Sequence, residues 1–170
     1  MSLFIAVLAS LFSVVNPIGA LPVYTSMTDS YTTKERNRTA LHTSLYFTMI
    51  CLVFFLGGSF ILSFFGISVP ALRLAGGLVI LNSGYSLLNG KVIRSEAIND
   101  KVKAEAKTKE DISFSPLAMP LLSGPGSISL LISLYAIHDS WDKRGIIIGV
   151  LFSLGLIIYI MLLSAPYIAR

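Results

Sequence analysis

The sequence predicts an all-α, polytopic transmembrane bundle built from inverted three-helix repeats, with the first and fourth helices broken. Three observations carry this. Of 170 residues, 54% are hydrophobic and only 13% charged, where a soluble domain carries about 25% charged residues; the mean hydropathy is +0.77. The apolar residues fall into five runs, each close to the roughly 20 residues that a helix needs to cross hydrocarbon. Two of these runs, in the two halves of the chain, are interrupted by proline and glycine at Ser13–Pro22 and Pro116–Ser127. Such paired interruptions point to a transporter's binding site.

The first span runs roughly from Leu3 to Tyr24 and contains Asn16, Pro17, Gly19 and Pro22. Pro17 cannot donate to the Ser13 carbonyl nor Pro22 to that of Ile18, and each ring crowds the preceding turn, so a continuous helix is not expected. Backbone freed in this way persists in a membrane only where protein or a water-filled cavity supplies partners. The apolar start lacks a basic leader and outruns a signal-peptide core, which makes the first span the expected targeting element.

A polar loop over Thr25–Ala40 leads to the second span, Leu41–Phe65, with His42 at its mouth and Gly57-Gly58 expected to admit a close neighbour. A tight turn over Phe65–Ser68 precedes the third span, Val69–Leu88, where Gly76, Gly77 and Gly84 are expected to mark packing. Residues 91–113 form a mixed-charge linker between a first half, 1–90, and a second half, 114–170. The fourth span, Phe114–Ile137, holds the second interruption, and the fifth follows over Gly145–Ile168. No sixth run is visible, and Trp141 and Tyr135 fit an interfacial aromatic belt.

Orientation follows from the basic residues. Links after odd-numbered spans hold Lys34, Arg36, Arg38, Lys91, Arg94, Lys101, Lys103, Lys107, Lys109 and Arg170, whereas the other side holds only Lys143 and Arg144. The positive-inside rule then places the linker in the cytoplasm and the N-terminus outside. The net charge of +4 resides in short loops rather than on one face, which fits a membrane surface and not nucleic acid.

Most catalytic chemistry is ruled out by what the spans lack. They hold no Asp or Glu, no HExxH motif and no phosphate-binding loop, and the two histidines fall at opposite membrane edges. Cys51 stands alone, so neither a disulfide framework nor a cysteine metal cluster is available. An enzyme is not expected, and no cofactor or metal is implied.

What remains is a polar site made of backbone and small side chains: Asn16, Pro17 and Gly19 from the first interruption, Ser123, Gly124, Gly126 and Ser127 from the second. Half-helix N-termini offer unpaired amides and partial positive charge, and C-termini offer carbonyls. The competing reading is that both interruptions are kinks serving helix packing. Arg73, the only basic residue inside a span, is either a counter-charge for an anionic solute or a residue that snorkels to the interface. Asn82 adds polarity nearer the middle of the third span.

The motifs Asn16-Pro17-Ile18-Gly19 with Leu21-Pro22, Arg73-Leu74-Ala75-Gly76-Gly77 and Pro116-Leu117-Ala118-Met119-Pro120-Leu121-Leu122-Ser123-Gly124-Pro125-Gly126 resemble the MarC family of bacterial inner-membrane proteins, over essentially the whole chain. The resemblance implies six spans in two inverted halves, grouped with the LysE-like exporters, in a bacterial inner membrane. The expected function is secondary transport or export of a small solute or ion. The alternative is a non-transporting scaffold or partner-binding protein, for which the charged linker matters more than the interruptions. The lipid bilayer is the one defined partner, and a homo-oligomer is compatible with it.

Overall fold

A computed structural model describes residues 2–88 and 112–168, so most of the charged linker expected at 91–113 lies outside the described residues. Among the described residues, seven helical segments follow one another: α1 Ser2–Val15, α2 Pro17–Met27, α3 Thr33–Phe64, α4 Val69–Leu88, α5 Ser113–Leu122, α6 Pro125–Ile137 and α7 Trp141–Ile168. Among the described residues there is no strand.

α3 and α7 are each long and apolar enough to cross a membrane, and the bent pairs α1–α2 and α5–α6 bring the crossings to as many as four. The expected third span corresponds to α4, Val69–Leu88. Its boundaries are those expected from the sequence, because the preceding turn is well specified. The Gly66 amide donates to the Ser63 carbonyl and the Ile67 amide to that of Leu62, with Gly66 at φ 67°. This paired closure with a left-handed residue just past the helix end favours glycine there.

Several expected boundaries move. The loop expected over Thr25–Ala40 shrinks, because α2 runs to Met27 and α3 begins at Thr33. Thr32 accepts from the Glu35 amide while the Glu35 carboxylate accepts from the Thr32 amide, a reciprocal cap that starts a helix within polar sequence. Pro22, expected to extend the first interruption, sits inside α2; one missing bond to the Ile18 carbonyl is tolerated where neighbours and hydroxyls re-satisfy backbone. α7 likewise starts earlier than expected, at Trp141.

The core lies between α3 and α7, which pack on each other; α3 also packs on α5 and α6, and α7 on α1 and α2. Leu11, Tyr24, Phe47, Phe55, Leu151, Leu154 and Ile158 are fully buried there. α3 runs alongside α5–α6 in the same direction, with Tyr46 edge-on to Phe114 at 5.6 Å, Phe55 edge-on to Tyr135 at 5.4 Å, and Gly58 under Ile132. Bundles in lipid gain little from apolar contact alone and rely on small residues and hydroxyls at helix crossings. Gly76 is covered by Ser129, whose hydroxyl donates to the Leu72 carbonyl at 3.0 Å and ties α4 to α6. Gly57, Gly77 and Gly84, by contrast, meet nothing within 4 Å: of the glycines expected to mark packing, only Gly58 and Gly76 face a helix.

Candidate functional site

The first interruption is a single residue. α1 stops at Val15, and Asn16 takes a left-handed conformation at φ 48°, ψ 59°, which asparagine tolerates better than most side chains. Its amide donates to the Phe12 carbonyl at 3.0 Å and finishes α1. Its carbonyl and its side-chain Oδ1 both accept from the Gly19 amide, at 3.1 and 3.3 Å, and start α2. Pro17 occupies the first helical position, where its missing N–H costs nothing. A β-carbon on residue 19 would come 2.7 Å from Asn16 Nδ2, so glycine lets the asparagine fold back over the helix it caps. The two helices meet at 43°.

The second interruption is longer. In α5 the bonds widen to a five-residue span, from the Leu117 amide to the Ile112 carbonyl and from Ser123 to Ala118. Ser115 and Met119 leave helical geometry at φ −126°, ψ 123° and φ −133°, ψ 125°, as residues preceding a proline do; both following bonds, to Pro116 and Pro120, are cis. α6 then starts at 68° to α5, with Pro125 at its first position and Gly124 as an extended N-cap that supplies no side-chain bond. The Ser127 hydroxyl donates to the Gly124 carbonyl at 2.9 Å. Ser123 is 1% exposed, and its hydroxyl lies against the Cys51 thiol of α3.

The two interruptions are neighbours. A β-carbon on Gly126 would lie 3.3 Å from Val14 Cγ1 of α1 and 3.0 Å from Ile80 Cγ1 of α4, and α2 also packs on α5. The contact is made by Val14, two residues before Asn16; Asn16 and Gly19 are themselves exposed, whereas Ser123, Gly126 and Ser127 are buried. Arg73 and Asn82 are not drawn in: both are exposed on α4, Arg73 two turns before Ile80 and Asn82 two residues after it.

Sequence reading missed the residues that hold the far ends of the half-helices. At the end of α2, Arg36 Nη2 donates to the Thr28 and Tyr31 carbonyls at 3.3 and 3.5 Å, while the Tyr24 hydroxyl donates to the Arg36 carbonyl at 2.7 Å. At the end of α6, Arg144 Nε donates to the His138 carbonyl at 2.9 Å, and its guanidinium lies 3.8 Å from the Tyr135 ring centre. A cation suits a helix C-terminus, where partial negative charge collects. The signal was present in the sequence: Pro17 to Pro125, Thr32 to Ser140 and Arg36 to Arg144 are equal spacings.

The family model described as "MarC family integral membrane protein" matches residues 1–170. The chain belongs to the MarC family. Among its relatives, a UPF0056 membrane protein of Methanocaldococcus jannaschii is 41% identical over 163 residues, 95% of this chain and 78% of that protein. Another, of Buchnera aphidicola, is 34% identical over 170 residues, 100% of this chain and 79% of that one. The UPF0056 membrane protein YvbG of Bacillus subtilis is 38% identical over 138 residues, 81% of this chain and 65% of its own length. These names place MarC-family chains in a membrane and state no activity. No solved structure matches the chain.

Proposed function

We propose that this MarC-family protein moves a small polar solute or ion across the membrane by secondary transport, with the site between the two interruptions. The observation that carries the reading is the approach of Val14 to Gly126, which sets two broken helices side by side, each with ends whose backbone groups the helix leaves unpaired. Such discontinuous helices at a repeat interface are where transporters hold substrate. The equal spacing of the two proline starts and the two arginines supports two related halves, and inversion follows from three spans preceding the linker. Alternating access is then a rocking of one half against the other. In this reading the bilayer is a bacterial inner membrane, and the Lys and Arg distribution supports an N-terminus outside and a linker in the cytoplasm.

The test is solute flux into proteoliposomes carrying the purified chain, compared with Asn16→Leu and Gly126→Leu. Leucine at 16 is costly in a left-handed conformation, and leucine at 126 drives into Val14 and Ile80, which a β-carbon alone would already meet at 3.3 and 3.0 Å. Both variants are expected to insert and to lose flux. Flux at the wild-type level in both would remove the site from this region.

A further inference from the structure

α4 is lightly held. It packs on α6 and on no other described helix to a comparable extent, and the rest of its surface is bare, with Leu74, Leu78 and Leu81 all exposed. It is entered through an exposed turn, residues 65–68, in which Gly66 takes φ 67°, a conformation that glycine adopts at no steric cost. In lipid an apolar helix face loses little by leaving its neighbour, so lifting α4 off α6 costs the close packing at Gly76 and the hydrogen bond from Ser129, with no hydrophobic penalty of the kind water would impose.

The face of α6 beneath it is polar. Ser129 lies under Gly76 and donates to the Leu72 carbonyl at 3.0 Å. Gly126, three residues earlier, lies under Ile80 where the interruptions meet. Ser133, four residues after Ser129, falls on the same face by helical register, one turn before α6 ends at Ile137. It is 6% exposed, and its hydroxyl has no hydrogen-bond partner among the described residues. A buried hydroxyl left unpaired costs free energy that water restores. The packing of α4 on α6 is thus held by one serine and opposed by another one turn away.

We propose that α4 is a lid. It swings about the Gly66 turn between the closed position seen in the structure and an open one, in which water and a polar solute reach the interruptions along Gly126, Ser129 and Ser133. Ile80, seated on Gly126 beside Val14, is the stopper at the inner end of that path. The solute rests on the transport reading, but the motion stands or falls without it.

The test needs no solute. The full chain carrying Cys51→Ala is placed in nanodiscs with spin labels at Leu78→Cys on α4 and Met49→Cys on α3, both exposed positions, and the distance between lid and frame is measured by pulsed electron spin resonance. Two distances are expected, where the frame pair Met49→Cys with Phe152→Cys on α7 gives one. Ser129→Ala removes the tie and raises the ratio of open to closed about threefold, the worth of one interhelical hydrogen bond in a bundle. Ser133→Ala removes the orphan hydroxyl and lowers that ratio at least about fivefold. Opposite signs from one substitution at two neighbouring serines separate a lid from simple loss of packing. With Ser133→Cys as the sole cysteine, a charged maleimide that stays in water reacts, and reacts faster when Ser129→Ala is added. A single lid-to-frame distance, shifts of the same sign in the two alanine variants, or no maleimide reaction at Ser133→Cys overturns the proposal. Flux in proteoliposomes with a single lid-to-frame distance sinks the lid and leaves the transport reading; two distances that shift as stated, with no flux of any solute, do the reverse.

Discussion

The Ser44 hydroxyl on α3 donates to the Gly155 carbonyl of α7 at 2.5 Å, and the Thr48 hydroxyl fills the place where a side chain on Gly155 would begin. This crossing joins the two long helices on which both broken pairs lean, so its loss loosens the frame that holds the interruptions together.

The crossing therefore predicts an order of effects. Ser44→Ala removes one interhelical hydrogen bond, worth about 0.6 kcal/mol in a membrane bundle. Gly155→Val drives a branched side chain into Thr48 and Ser44 and costs about 1–3 kcal/mol, the range for overpacking a filled core. Unfolding of the purified chain by SDS titration measures both, and a Gly155→Val protein as stable as Ser44→Ala would show that the helices part easily here.

At the first interruption, conformation and capping can be separated. Asn16→Gly keeps the left-handed conformation open and loses only the side-chain cap, for which replacement by glycine costs a few tenths of a kcal/mol. Asn16→Leu loses the cap and adds about 1–2 kcal/mol for a left-handed non-glycine residue. Thermal unfolding in detergent checks the ranking; equal stability of the two variants would mean that the chain leaves the left-handed conformation at 16 without penalty.

The interruptions themselves were legible in the sequence because proline and the residue before it have strong local rules, and Pro17, Pro116, Pro120 and Pro125 each act as those rules require. Pro22 was misread as part of the interruption; it stays inside α2, and the left-handed Asn16 carries the turn. The starts of α3 and α7 lie in polar sequence, which hydropathy assigns to loops; the Thr32–Glu35 pair was the readable cap. No local rule tells Gly58 from Gly57 or Gly76 from Gly77, since only packing decides which of two adjacent glycines faces a helix. The meeting of Val14 with Gly126 was illegible for the same reason: it joins residues far apart in the chain through apolar contact alone.

Arg36 and Arg144 predict a matched pair of phenotypes. Each closes the C-terminal end of a half-helix from the start of the following long helix. Arg144 also stacks on Tyr135, and its side chain is 13% exposed. Arg144→Lys keeps the charge but loses the planar stack and costs about 1–2 kcal/mol, seen as a lower unfolding temperature and as faster proton exchange of the last amides of α6. Arg36→Lys is expected to do the same at the end of α2. An effect confined to α7 in the first variant, or to α3 in the second, would show that the arginines anchor their own helices only.

The start of α3 responds to acid with a definite sign. The Thr32 hydroxyl and amide both donate to the Glu35 carboxylate, at 2.7 and 2.8 Å, and hold its pKa below the usual carboxylate range. A carboxyl whose folded pKa is depressed contributes stability above its unfolded pKa and loses it as the pH falls through the lowered value. The first turn of α3 is therefore intact at neutral pH and frays in acid. Because Glu35 is fully exposed, the change stays local and leaves the bundle's unfolding temperature nearly unmoved. Glutamine can still accept at this position of a capping box but does not titrate, so Glu35→Gln should keep the turn and flatten its response to pH. Amide exchange at residues 33–36, followed from neutral to acid pH in both proteins, checks this; equal acid fraying in Glu35→Gln would assign the response to another group.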